Sequence, residues 1–375
     1  MSEATAPRAM RVFMIQGEQF SELDQLPDSL DAGAFVWIGL TRTAFKRDTA
    51  MLQSALQRWT GGQLVDLHIS DLLNQQLPSH FDYTSWYDLM VFRRLAPGAD
   101  SEAVASNGAR VASPAAGLAL QAIETSPVGF AVFDRVLLSL HSDDCAVRDH
   151  YAQRLESKAA SPDARSATRM PLGTADLMLR MVNHMVDGFL ELRRLHARQL
   201  AHLQQELLDP RSHFNDWPVL LDSRNALHML EDVCEDQRSA VQEWIDALDD
   251  WPDEADPQAR RERELLRVRS RDVLEHVERV LTHARRLEQS AETAVQMHFS
   301  ALGHRTNDIM RTLTLLTAIF LPLNLITGFF GMNFDSLPLI HQSTGVWVAV
   351  LMMVGVVLGL WLFFKRKRFI GARRR

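Results

Sequence analysis

Near the C-terminal end of the 375-residue chain, an apolar stretch is interrupted by a regular series of side chains that can hold an ion. Asn307, Met310, Leu313 or Thr314, Thr317, Leu321, Asn324, Gly328 and Gly331 recur at steps of three and four residues, which places them on one face of a helix. Amide and hydroxyl oxygens on such a face can hold a cation through its water shell, and rings of Met and Leu can close an aqueous path by excluding water. From spacing alone a second use is equally open: small and polar residues join helices inside a membrane.

Other residue types offer less. Acids gather between Glu231 and Asp256, with Arg238 the one base among them. Such a run is ordinarily a solvated face, and its competing use is to draw cations towards a pore mouth. The 14 histidines include no His/Cys cluster with metal-ligand spacing, and His298 and His304 fall on different faces of a helix. Two cysteines, Cys145 and Cys234, read as free thiols in a reducing compartment. No phosphate-binding glycine loop, nucleophile elbow or zinc-hydrolase helix is present, so the chain does not read as an enzyme.

These residues require a membrane element to carry them. Val346–Phe364 contains no charge or strongly polar side chain and ends at Lys365-Arg366-Lys367-Arg368. As a helix it is roughly 28 Å long, close to the ~30 Å hydrocarbon core. Leu313–Phe330 is a second uncharged stretch, interrupted by Thr314, Thr317, Asn324, Thr327 and Pro322. Its polar groups must face a partner or water, so this span is expected to face other helices or a pore.

Charge sets the orientation. Residues 309–375 carry eight Lys/Arg and one acid, net +7, which leaves −14 on residues 1–308 because the whole chain is −7. The connection Gly331–Gly345 has no Lys or Arg, whereas the tail has seven. The positive-inside rule therefore places the tail and the large body in the cytoplasm. Met1–Gln16 lacks the apolar core of a secretory signal. The acidic body disfavours nucleic acid, while the basic tail suits a lipid surface. One hairpin encloses no aqueous path, so transport requires an oligomer.

The body is expected to be α/β over 1–142, with strands at Met10–Ile15, Ala34–Leu40, Leu89–Phe92 and a strand or strand pair in Gly129–Ser139. Helices are predicted at Thr49–Trp59 and Asp66–Leu73, and a loop at Pro97–Pro114. Residues 143–258 read as helical, with segments Cys145–Lys158, Thr174–Leu208 and Asn215–Leu248, then a proline-marked turn from Trp251 to Pro257. Residues 259–330 read as a stalk running directly into the first span. Val273, Val277, Val280, Ala284, Leu287, Ala291 and Ala294 form a heptad seam along it, continued by His298 and Ala301. An external loop (331–345), a second span (346–364) and a basic cytoplasmic tail (365–375) complete the expected layout.

At the outer end of the first span stands Phe329-Phe330-Gly331-Met332-Asn333-Phe334. With two C-terminal spans and the basic tail, it resembles the CorA family of divalent-cation transporters, whose signature is an aromatic residue followed by Gly-Met-Asn-Phe at that place. Asn307-Asp308-Ile309-Met310, Ile319-Phe320-Leu321-Pro322-Leu323 and Arg271-Asp272-Val273-Leu274-Glu275-His276 resemble further family patterns. The likeness is strong over about 259–370 and lies mainly in layout elsewhere.

The resemblance implies a funnel-shaped homopentamer with an α/β cytoplasmic domain, a long helical stalk and two transmembrane helices per protomer. It implies a central pore lined by the first span, with Gly331, Met332, Asn333 and Asp335 at the entrance, and intracellular metal that closes the pore. Asp272 and His276 are the regulatory candidates. Magnesium dehydrates reluctantly, and a ring of Asn333 carbonyls suits an ion that keeps its waters. The chain departs from the family in having Asn324 where many relatives have threonine and Phe330 where tyrosine is usual. It also has Asp335-Ser336-Leu337-Pro338-Leu339 where a second acid is common. The expected cargo is therefore Mg²⁺, with Co²⁺ or Ni²⁺ beside it. A Zn²⁺ transporter of the same superfamily, proton-coupled or not, and a non-conducting metal sensor are the alternatives.

Overall fold

The structure is a computed structural model and describes residues 8–31, 33–96, 123–160, 170–208, 217–251, 256–332 and 343–366. The predicted Pro97–Pro114 loop, the turn residues 252–255, the entrance residues Asn333 and Asp335 and the tail beyond Arg366 lie outside the described residues. The chain divides into two compact units, Met1–Glu292 and Thr293–Arg375.

The first unit is built on one seven-stranded sheet: β1 (Met10–Gln16), β2 (Gln19–Leu23), β3 (Ala34–Thr41), β4 (His80–Tyr83), β5 (Asp88–Leu95), β6 (Thr125–Val132) and β7 (Val136–His141). The spatial order is β2-β1-β3-β7-β6-β5-β4, and only the central β3–β7 pair is parallel. β3 is buried at all eight positions, because helices cover both faces of the sheet. Its alternation sends Phe35 and Trp37 into one core and Val36, Ile38 and Leu40 into the other. Trp37 keeps its indole N–H satisfied by donating to Ser139 Oγ at 2.8 Å.

Helices α1 (Arg42–Thr60) and α2 (Asp66–Leu73) cover the second core. Thr41 Oγ1 accepts from the Ala44 N–H at 3.1 Å, and this cap starts α1 seven residues ahead of the predicted Thr49. Gly61, at φ 73°, ends the helix by returning its N–H to the Gln57 carbonyl. Gly129 of β6 is required by close approach, since a Cβ there would stand 2.4 Å from a Leu72 methyl of α2.

The first core is larger. It is closed by α3 (Ala146–Ala160), α4 (Thr174–Leu208), α5 (Trp217–Asp249) and the beginning of α6 (Pro257–Phe330). Buried polar contacts fix the helices in place. Gln237 Nε2 of α5 donates to the Arg93 carbonyl of β5 at 2.8 Å, and Trp244 Nε1 donates to Ser270 Oγ of α6 at 2.8 Å. The predicted seam on α6 is buried at Val273, Val277, Val280, Ala284 and Ala291.

The acidic run on α5 is less naked than its sequence indicates. Arg285 of α6 pairs with Glu231 at 2.7 Å and with Glu235, and Arg267 of α6 pairs with Asp249 at 2.7 Å. Arg238 and Arg285 together hold the Glu235 carboxyl below its ordinary pKa. Burial, with Asp232 beside it, pushes that of Asp236 up.

The second unit contains the C-terminal part of α6 and α7 (Ser343–Arg366). Each holds an 18-residue window of high mean hydropathy, 1.9 in α6 and 2.6 in α7, and neither window is buried. That lack of burial separates them from the core helices of a soluble protein, which are apolar because they are covered.

Candidate functional site: an uncovered polar stripe on an apolar helix

Asn307, Met310, Leu313, Thr314, Thr317, Leu321, Asn324 and Gly328 are all exposed in the single chain. The less exposed positions of the apolar part of α6, among them Leu315, Ala318, Pro322 and Ile326, form a different stripe. At 100° per residue the two stripes lie roughly 130° apart around the helix. On α7 the less exposed residues are Ala349, Met353, Val356, Leu360 and Phe364, again one helical face. Lys365 Nζ sits 4.7 Å above the Trp361 ring at the end of that helix, an aromatic-basic pair suited to a membrane interface.

The hydroxyls on the stripe are oriented by the backbone. Thr314 Oγ1 donates to the Met310 carbonyl at 2.7 Å, and Thr317 Oγ1 donates to the Leu313 carbonyl at 2.9 Å. With its proton committed to its own helix, each hydroxyl presents lone pairs outward, the polarity that suits a cation or its waters. The side-chain amides of Asn307 and Asn324 have no hydrogen-bond partner among the described residues. An amide in hydrocarbon without a partner costs several kcal/mol, of the order of 2–7. That cost is relieved only by water or by another chain.

The helix ends at the signature. The Gly331 N–H returns to the Thr327 carbonyl at 2.9 Å and that of Met332 to the Phe329 carbonyl at 3.4 Å. A Cβ on residue 331 would stand 2.9 Å from the Thr327 carbonyl oxygen, so this last turn closes around a glycine. Met332 is exposed. Asn333 and Asp335 follow outside the described residues.

On the stalk, Asp272 and His276 are one turn apart, with His276 Nε2 3.8 Å from Asp272 Oδ1 and the Asp272 side chain 60% exposed. His276 Nδ1 lies 3.3 Å from Asn183 Oδ1 of α4, which leaves Nε2 on the Asp272 side. The pair therefore offers one imidazole nitrogen and one solvated carboxylate. Two protein ligands with room for water fit a hydrated divalent cation better than a tight tetrahedral site.

One grouping escaped the sequence reading. His228 and Glu231 of α5 and Glu288 of α6 bring ligand atoms within 4.8 Å of one another. The three-residue step from His228 to Glu231 was legible, but the third member comes from a helix distant in sequence. Arg285 bonds Glu231 at 2.7 Å and Arg224 stands 3.8 Å from Glu288, so arginines already neutralise both carboxylates.

The chain thus combines an α/β body, a 74-residue helix and two largely uncovered apolar segments near its C-terminal end, each long and apolar enough to cross a membrane, with a polar stripe on the first. A family model described as CorA-like Mg2+ transporter protein matches residues 115–366, and the chain belongs to that family. The cobalt/magnesium transport protein CorA of Thermotoga maritima is 27% identical over 100 residues, covering 27% of this chain and 28% of the relative. The alignment thus spans less than a third of that curated relative's length. The structure of the CorA magnesium transporter from Methanocaldococcus jannaschii matches 95% of this chain and 97% of its own, with a TM-score of 0.67 and 17% identity. The full-length CmaX protein matches 98% of this chain and all of its own, with a TM-score of 0.60 and 18% identity. At these identities the likeness speaks for the fold.

Proposed function

We propose that this chain forms a channel for divalent cations, with Mg²⁺ as cargo and Co²⁺ or Ni²⁺ as further ions, in a bacterial-type inner membrane. The observation that carries the proposal is the stripe from Asn307 to Asn324, whose amides have no partner among the described residues and whose hydroxyls present lone pairs outward. Copies arranged about an axis would line a pore with these residues, five copies being what the resemblance implies. Met310, Leu313 and Leu321 would form the narrow apolar rings, while Thr314, Thr317 and Asn324 would contact the ion's waters.

Gly331, Met332, Asn333 and Asp335 would form the outer entrance, and both termini would lie in the cytoplasm, a placement supported by the basic tail. Asp272 and His276 would bind intracellular metal and, when occupied, hold the acidic bodies together and the pore shut. Loss of the metal would let like charges separate and the pore open.

Purified protein in liposomes loaded with a metal-sensitive dye tests this. Mg²⁺ flux that ignores an imposed pH gradient and disappears in Asn333→Ala is the expected result. Zn²⁺ flux that rises with the gradient would replace the proposal with a zinc transporter. Correctly assembled protein that conducts no metal would replace it with a metal sensor.

A further inference from the structure

The first unit contains a cleft of about 760 Å³ that the transport reading does not use. Its walls come from the end of α1, the start of β5, the β6–β7 turn, the first turn of α4 and the first turns of α6. Such a volume falls in the range of small-molecule sites, and the walls carry both rings and charges. Trp59, Trp86, Tyr87, Phe133 and Trp251 supply the rings. Trp86 lies over Gly61 and Gly62, where a Cβ on Gly62 would stand 3.1 Å from it, and its side chain remains exposed.

The chemistry of the occupant follows from which charged groups are already engaged. Arg135 donates to the Ala34 carbonyl at 3.1 Å and to that of Asp31. Arg263 donates to the Trp251 carbonyl at 3.2 Å and lies over the Trp251 ring at 5.9 Å. Arg269 and Arg180 both pair with Asp176. Glu262 accepts from Gln258 Nε2 at 3.1 Å. Two carboxyls are left over. Asp88 and Asp134 have neither a hydrogen bond nor an ion pair on their side chains among the described residues.

The sheet register makes these two neighbours. Asp88 opens β5 opposite Val132, and Asp134 stands two residues beyond Val132 in the β6–β7 turn. Burial pushes the Asp88 carboxyl up to about 6, and the charge of Asp134 adds to the shift. At pH 7.5 Asp88 is therefore mostly anionic, in a cleft whose bases are engaged elsewhere. Four acids (Asp88, Asp134, Asp176 and Glu262) line the cleft against three bases (Arg135, Arg263 and Arg269), and the bases are held by contacts of their own, so the uncommitted groups are acidic and the aromatic faces beside them attract cations rather than anions.

From this geometry we infer that the cleft binds an alkyl diamine or polyamine, its ammonium groups on Asp88 and Asp134 and its methylene chain against Trp86 and Trp59. The volume is too large for one hydrated ion, whereas a chain of methylenes between two ammoniums uses both the rings and the carboxyls. Its occupant would touch the first turns of α6 at Ala259, Glu262 and Leu266.

Titration calorimetry of the full chain in detergent, at pH 7.5 and physiological salt, tests the inference with putrescine, spermidine and MgCl₂ as probes. The expected result is saturable heat from spermidine, with Kd raised at least ~10-fold in Asp88→Asn/Asp134→Asn, the loss of two charge-assisted contacts. Spermidine should also quench tryptophan fluorescence, and Trp86→Leu should reduce the quench while thermal unfolding shows each variant folded. Absence of saturable amine binding overturns the inference. So does amine binding unchanged in the double Asn variant, which would assign it to other acids. Binding of Mg²⁺ that spermidine does not displace, lost in the same variant, overturns it in favour of a divalent-cation site.

Discussion

Helix α6 presents two kinds of apolar surface. Between Val273 and Ala291 its seam is buried, with Val277 and Val280 fully inaccessible. From Met297 onward most of the large apolar residues are exposed, among them Phe299 at 59%, Ile309 at 67% and Leu321 at 69%. Charged residues such as Glu275, Arg279 and Arg285 flank the seam in the first stretch, whereas Leu313–Phe330 carries no charge, so the first is apolar on one face and the second all round. The first stretch is covered by its own chain and contributes to the fold of one protomer. The second is largely uncovered by the described residues of its chain, which leaves it to lipid, to other copies or to water. A substitution in the first should therefore be read in stability, and one in the second in flux.

The sharpest test of that division is Val277→Asp. A carboxylate placed at this fully buried site should destabilise the chain by about 3–5 kcal/mol, as an unpaired buried charge does. Urea unfolding followed by tryptophan fluorescence measures it. Leu321→Ala, at an exposed position, should change the same midpoint by less than about 0.5 kcal/mol. Equal losses at the two sites would show that the protomer covers both stretches.

Asn324→Leu is the counterpart for the uncovered stretch. Removing an amide that has no partner among the described residues should leave assembly, measured by size-exclusion chromatography, unchanged. Mg²⁺ flux should fall at least ~10-fold, or about 1.4 kcal/mol of barrier. Undiminished flux in an intact assembly would make the stripe a packing surface.

Asp88 tests whether the body is as self-contained as its buried seam implies, because it is a half-buried carboxyl without a partner among the described residues. Its pKa in the fold is raised to about 6 from 3.8, so between those values the folded state binds more proton than the unfolded state. Stability must then fall as pH rises through 4 to 6. The full shift corresponds to about 3 kcal/mol, and access to solvent in the cleft reduces it to roughly 1–2. Asp88→Asn should therefore raise the unfolding midpoint at pH 7.5 and have little effect at pH 4, as paired denaturation curves would show.

What the sequence revealed follows the same division. Both candidate spans were legible because lipid imposes one rule on every residue, and α4 was legible to the residue at Thr174–Leu208 because its periodicity is long and its ends are marked. The edge strands β2 and β4 were missed. Gln19–Leu23 is half exposed and polar, and His80–Tyr83 is four residues long, so neither has the buried alternation that identifies a strand. The start of α1 was missed because Thr41 looks like the end of a strand until its hydroxyl is seen to cap Ala44. Of the site, the helical stripe was readable from spacing. The pairing of Arg285 with Glu231, and the cleft at Asp88, depend on segments brought together from across the chain.

Asp272 and His276 are the hardest case for the division, because they flank the buried seam of α6 while Asp272 faces solvent. If they serve only the fold, Asp272→Asn should change little, since a solvated acid 3.8 Å from an imidazole contributes at most a few tenths of a kcal/mol. If they hold a regulatory cation, stability is the wrong readout, and the effect should appear in the response to metal. Limited proteolysis across a Mg²⁺ series separates the two. Asp272→Asn, and less strongly His276→Ala, should raise the Mg²⁺ needed for half-protection roughly fivefold, equivalent to about 1 kcal/mol of lost interaction. The midpoint without metal should remain where it was. A fall in the metal-free midpoint with no change in half-protection would return both residues to the fold. The regulatory carboxylates would then have to be sought among acids that stay exposed and unpaired.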